Sequence, residues 1–299
     1  MLTFKAHDQT IYGLAFSPDG RHLATSSKDE PVILWAFDGP TEVKRFPGSG
    51  SDSPVVFSPD GRFLARGGWD FALLEVSNGK VIATGRARET VAFSPDSKEV
   101  AGCSPLERWS LPKGKPLSGG WGDWRGRYAG GDMEYASGAL AYSPDGTTIA
   151  TAFFARLKKR ESRPIVLWAR KTGEERGRLL ADFTNGDPRF LTYSPDGSLI
   201  AGVYGARVGG LDAATGATVA VLKVGTKHFK GIAFTPDGKR LITVNTDAAV
   251  RVYDTATWTE TTGYEWDIGR LTAVAVAPDG LRAACGSDRG RVVVWDLDL

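Results

Sequence analysis

The sequence predicts an all-β chain closed into a ring of seven repeated units. Three observations carry this: a turn motif that recurs seven times, short apolar strand patterns around each copy, and a last unit that ends one strand short. The turns read AFSPDG, VFSPDG, AFSPDS, AYSPDG, TYSPDG, AFTPDG and VAPDG, with prolines at Pro18, Pro59, Pro95, Pro144, Pro195, Pro236 and Pro278. Spacings of 41, 36, 49, 51, 41 and 42 residues use essentially the whole of the 299-residue chain.

Within each unit a short apolar strand precedes the turn, a second follows it, and a third usually ends in a large apolar or aromatic residue. In the first unit these are Ile11–Phe16, His22–Ser26 and Pro31–Trp35, and in the sixth Ile232–Phe234, Arg240–Val244 and Ala249–Tyr253. Proline fixes φ at the second turn position, Asp bonds locally, and Gly accepts the positive φ that closes the reversal. The 37 glycines fit a chain with this many turns.

The SPDG turns, a His near the start of a unit and a Trp ending its third strand resemble the WD40 repeat. The resemblance implies a seven-bladed β-propeller of four-stranded antiparallel blades, one domain over residues 1–299. It places His7, Thr25, Asp29 and Trp35 at the family's four structural positions, where an Asp–His–hydroxyl–Trp network ties strands together. The sixth unit keeps Thr243 and Asp247 with Tyr253 for Trp, and the seventh ends in Trp295 and Asp296. In the second unit Asp70 implies Val76 at the Trp position; the fifth has Ala206 and Leu211, and the seventh has Asp288 one place early, with Arg289 where Asp is expected.

The chain opens with Leu2 to Phe4 and closes with the third-strand pattern Arg291 to Asp296. The simplest arrangement makes Leu2 to Phe4 the missing strand of the seventh blade, which removes an exposed sheet edge.

Composition narrows the function classes. Thirty-seven Lys and Arg against 35 Asp and Glu leave a charge of +2, too balanced for the whole body to act as a polyelectrolyte ligand. No apolar run approaches a membrane span, so no membrane association is expected, and a cytoplasmic setting is. Cys103 and Cys285 form neither a C-x-x-C nor a disulfide framework and read as buried strand residues. His7, His22 and His228 have no metal-ligand spacing, and the SPDG carboxylates are separated by whole blades. Gly48 to Gly50 lack the G-K-[S/T] ending of a phosphate cradle. No catalytic group, cofactor or metal is therefore expected.

Two expansions locate the candidate surface: Ser118 to Ser137 before the fourth unit's first strand, and Arg156 to Arg163 between its second and third. In the family geometry both emerge on the face opposite the SPDG turns. Trp121, Trp124, Tyr128 and Tyr135 offer amphipathic contact groups, while Arg125 and Arg127 suit carboxylates. Lys158, Lys159 and Arg160 with neighbouring Arg residues bring this region to a balance of +4. That sign favours an acidic or phosphorylated peptide or protein partner. Lys28, Trp69 and Thr246 precede the expected Asp positions at the channel mouth, and Trp69 is the candidate anchor among them.

The expectation is a noncatalytic interaction scaffold, acting as a monomer. A propeller enzyme with a channel-mouth site is the alternative, and a nucleic-acid-binding module a weaker one, because acidic residues interrupt the basic patch.

Overall fold

The computed structural model describes residues 1–36, 39–46, 54–87, 90–103, 106–117, 138–153, 164–180, 188–225 and 227–298. Among these residues, 28 strands form seven four-stranded antiparallel sheets. Blade 1 contains β2 (Ile11–Phe16), β3 (His22–Ser27), β4 (Val32–Ala36) and β5 (Thr41–Phe46), hydrogen-bonded in chain order. Blades 2 to 6 repeat the order. Blade 7 contains β26 (Leu271–Val276), β27 (Arg282–Ser287) and β28 (Arg291–Asp296), and its fourth strand is β1 (Leu2–Lys5).

The turn that the repeats announce has one construction. In blade 1 the Gly20 amide donates to the Ser17 carbonyl at 2.8 Å, while the Ser17 hydroxyl donates to Asp19 at 2.5 Å and accepts from the His22 amide at 3.0 Å. Gly20 has φ +67°, as the reversal requires. Ser58, Ser94, Ser143, Ser194 and Thr235 donate to their turn aspartates at 2.5–2.7 Å. Ala277 lacks the hydroxyl, but the backbone bond from Gly280 to its carbonyl remains at 2.9 Å. The hydroxyl thus reinforces a reversal that the backbone makes without it.

Closure follows the expected route. Leu2 pairs with Val294 and Phe4 with Val292 in antiparallel register. From blade 7, the Phe4 ring reaches Trp35 of blade 1 at 5.0 Å between centroids. The amino-terminal strand therefore completes one blade and packs on the next.

The core is divided among the seams between blades. Ile11, Phe16, Leu23 and Trp35 of blade 1 join Ala284, Val292 and Val294 of blade 7 in one buried cluster. The other six clusters likewise span neighbouring blades, including Val32, Leu34, Val55 and Leu64 across blades 1 and 2. A strand buried on both faces reads as a continuous apolar run, as Val32–Trp35 and Val292–Trp295 do.

Blade 2 corrects the expected register. Leu64 pairs with Leu74, just as Leu23 pairs with Trp35, so Leu74 rather than Val76 occupies the Trp position. Counting from Asp70 gave Val76 because it assumed a full-length connection. In the structure Gly68–Glu75 is one strand, and the connection is two residues shorter than in blade 1.

Candidate functional site

The strand-tying network in blade 1 forms around a histidine that leaves β1 and enters the interior. The His7 amide donates to the Gly290 carbonyl at 3.1 Å, and the residue is 3% exposed. Its Nε2 lies 2.7 Å from Thr25 Oγ1, which also accepts from Trp35 Nε1 at 2.9 Å. Because the Glu30 carboxylate only accepts, His7 Nδ1 donates to its Oε2 at 2.8 Å, and in a neutral ring Nε2 is then the acceptor of the Thr25 hydroxyl. Burial pushes the His7 pKa below its ordinary value against the opposing pull of Glu30, which agrees with a neutral ring.

Glu30, not Asp29, supplies the carboxylate. Its other oxygen accepts from the Asp8 and Gln9 amides at 3.1 and 2.9 Å. The cause is local: Pro31 keeps the residue before it out of the helical region. The positive φ of this turn consequently falls at Asp29 (+56°), whereas blades 6 and 7 place it one position later, at Ala248 (+69°) and Gly290 (+71°). The Glu30 side chain then faces His7, so the X-Pro dipeptide was the signal that could have identified it.

Blade 4 holds part of the same arrangement, unnoticed in the sequence, with Trp168 Nε1 donating to Thr151 Oγ1 at 2.8 Å. In blades 6 and 7 Thr243 Oγ1 and Trp295 Nε1 have no such partner. Tyr253 and Cys285 pair with Leu241 and Val293 in the strand register and occupy the positions of Trp35 and Thr25. Thr25→Val is expected to lower stability by about 3 kcal/mol, because it orphans the Trp35 N–H and removes the donor to His7 Nε2. Chemical denaturation of the variant against the unaltered protein checks this.

At the loop end remote from the SPDG turns, the strand register pairs residues that flank the two expansions. Gly138, which follows the first, pairs with Phe153, and Ala152 pairs with Ile165 across the second. Thr90 Oγ1 accepts from the Leu140 amide at 3.1 Å and fixes the start of this blade on its neighbour. Trp121, Trp124, Arg125, Arg127, Tyr128, Tyr135, Lys158, Lys159 and Arg160 lie outside the described residues. Trp69 belongs to the strand Gly68–Glu75, and its side chain also lies outside them. Lys28 lines a cleft of about 610 Å³ with Asp8, Gln9, Asp29, Pro31 and Arg45. Thr246 donates its amide to the His228 carbonyl at 3.1 Å.

The SPDG end carries a charged cluster that the sequence analysis missed. Glu99 lies in blade 3 and is buried; its Oε1 accepts from Arg108 Nε at 3.1 Å, Arg170 Nε at 3.0 Å and the Tyr142 hydroxyl at 2.8 Å. Arg170 Nη2 also donates to Asp96 at 2.9 Å, and Nη1 to the Gly146 carbonyl at 3.3 Å. Burial raises the Asp96 pKa, but the hydrogen bonds from Arg170 and Ser94 outweigh it and hold the carboxyl at about 2. Two carboxylates face two guanidiniums, so the cluster is electrically balanced. Its chemistry is to join blades 3 and 4.

Among the described residues, no group of three or more His, Cys, Asp or Glu is placed to hold a metal ion. Among the same residues, no helix is long and apolar enough to cross a membrane.

The family model of the WD domain, G-beta repeat, matches residues 1–35 and 262–296. These segments contain the closing strand, the His7–Thr25–Trp35 network and the strands of blade 7. Together with seven four-stranded blades and an amino-terminal strand that shuts the ring, these matches support a WD40-repeat β-propeller.

Proposed function

We propose that this propeller is a noncatalytic scaffold whose blade 3 and blade 4 expansions hold an acidic or phosphorylated segment of a protein partner. Propellers of this family generally serve as protein-interaction scaffolds. The observation that supports the finer reading is the pairing of Gly138, which follows the first expansion, with Phe153, which precedes the second. Short separation lets aromatic and basic groups from the two segments act on one ligand. Trp121, Trp124 and Tyr128 would provide contact area, and Arg125, Arg127 and Arg160 planar or charged contacts to carboxylate or phosphate.

The test is a pull-down from cell extract followed by direct affinity measurement with the isolated partner. Trp121→Ala and Trp124→Ala are expected to weaken binding at least tenfold while the circular dichroism and melting temperature stay unchanged. Arg160→Glu is expected to weaken it further as salt is lowered, since repulsion is then less screened. Unchanged affinity in all three variants would overturn the assignment.

A further inference from the structure

The groove between blades 1 and 2 at the SPDG end has the form of a site that the protein fills elsewhere with its own arginine. Between blades 3 and 4, Arg170 crosses from the end of a third strand to Asp96 of the preceding blade's turn and the Gly146 carbonyl of its own. Its guanidinium lies 5.8 Å from the Tyr142 ring centroid. Backbone bonds fix which residue stands there in blade 2: the Val76 amide donates to the Arg62 carbonyl at 2.9 Å, as Arg170 does to Thr147 at 2.9 Å. Val76 therefore replaces Arg170.

The surrounding positions correspond one by one. Asp19 stands for Asp96, Gly61 for Gly146 and Phe57 for Tyr142, and the packing of the turns is the same. A Cβ built on Gly61 would lie 3.7 Å from Pro18, and one on Gly146 3.6 Å from Pro95. His22 and Leu34 replace Glu99 and Arg108. What remains is an open groove of about 450 Å³ bounded by Pro18, Asp19, Leu34, Phe57, Gly61 and Val76. The Ser17 hydroxyl holds the Asp19 carboxyl below its ordinary pKa, which keeps it charged.

A second seam shows that this acceptor pair attracts guanidinium whatever its origin. Between blades 7 and 1, Arg282 comes from the strand after the turn, yet its Nη2 lies 3.3 Å from Asp279 and 3.5 Å from the Gly20 carbonyl. These are again the turn aspartate of one blade and the turn glycine carbonyl of the next. Lys44 is engaged with the Val76 and Ser77 carbonyls at 2.9 and 2.8 Å and does not line the groove, while His22 does, with its Nδ1 4.0 Å from Asp19.

The geometry points to this groove as a docking site for an arginine side chain of a protein partner, with the guanidinium between Asp19 and the Gly61 carbonyl against Phe57, and the stem along Leu34 and Val76. A planar cation with several donors suits a carboxylate and a carbonyl together, and its aliphatic stem suits apolar walls. The site is independent of the loops of blades 3 and 4, so either assignment can fail without the other.

The experiment titrates the full, isotopically labelled chain with acetyl-Gly-Arg-Gly-amide and follows backbone amide resonances. Saturable shifts are expected at Gly61 and Val76, with at least tenfold weaker binding of the citrulline peptide, which keeps the shape and removes the charge. The lysine peptide is expected to bind at least threefold more weakly than the arginine peptide. Val76→Arg should abolish binding by supplying the guanidinium from within. Asp19→Asn, which keeps an oxygen acceptor for Ser17, should weaken binding at least fivefold without enlarging a side chain. Equal binding of arginine and citrulline peptides, shifts scattered away from the groove, or full binding by a folded Asp19→Asn variant would overturn the assignment.

Discussion

Deletion of residues 1–5 is expected to lower the stability of the ring by about 4 kcal/mol or more, combining lost ladder hydrogen bonds with the lost apolar packing of Leu2 and Phe4. The strand supplies four paired residues to β28 and the Phe4 ring to Trp35. Its loss uncovers the edge of Arg291–Asp296, an apolar run whose unpaired amides and carbonyls can recruit another chain. The melting temperature should fall, and light scattering should show association below that temperature. A truncated chain as stable and monodisperse as the full one would show that ring closure does not depend on β1.

Glu99→Leu is expected to destabilise the protein by about 3–5 kcal/mol, the usual consequence of leaving buried charge without its partner. Arg108 and Arg170 both converge on this carboxylate, but their alternatives differ. Arg170 retains Asp96, whereas Arg108, with an 11%-exposed side chain, and the Tyr142 hydroxyl lose the Glu99 carboxylate. The double variant Glu99→Leu with Arg108→Leu measures how much of the effect arises from the Arg108 pairing. Denaturation of the two single variants and the double gives the coupling directly. A double variant as unstable as the sum of the singles would show that the two residues act separately.

This seam combines the apolar cluster of Ala101, Cys103, Leu140, Tyr142 and Ile149 with the Glu99 cluster. A charged cluster adds directional constraints where packing alone is nondirectional. It fixes how blades 3 and 4 meet, and hence the relative placement of the strands bearing both expansions. The comparison with blades 1 and 2 shows the same seam without the arginine, closed by packing alone on one side of an open groove.

Blade number and turn construction were legible because each depends on residues close in sequence, and the closing strand because the last unit is one strand short. Proline, Asp and Gly dictate a reversal wherever they occur in that order, and the missing third-to-fourth-strand step at the carboxy terminus implied a strand from the amino terminus. His7, Thr25 and Trp35 were legible only through the resemblance to the WD40 repeat, which assigns those positions to a strand-tying network. Asp29 was misassigned because one proline moved the left-handed turn residue by a single position. Val76 was misassigned because a connection two residues shorter changed the register without changing the composition of the strand.

A seven-bladed ring follows from the amino-acid order alone, since local turn chemistry repeated every 36 to 51 residues leaves the chain one consistent way to pair its strands. Which side chains meet across the seams depends on how the folded blades stack. Glu99, Tyr142 and Arg170 stand 43 and 71 residues apart along the chain when measured from the carboxylate, and no local pattern announces their meeting. Their association, like the open groove beside Val76, results from neighbouring blades being stacked so that each turn lies against the one before it.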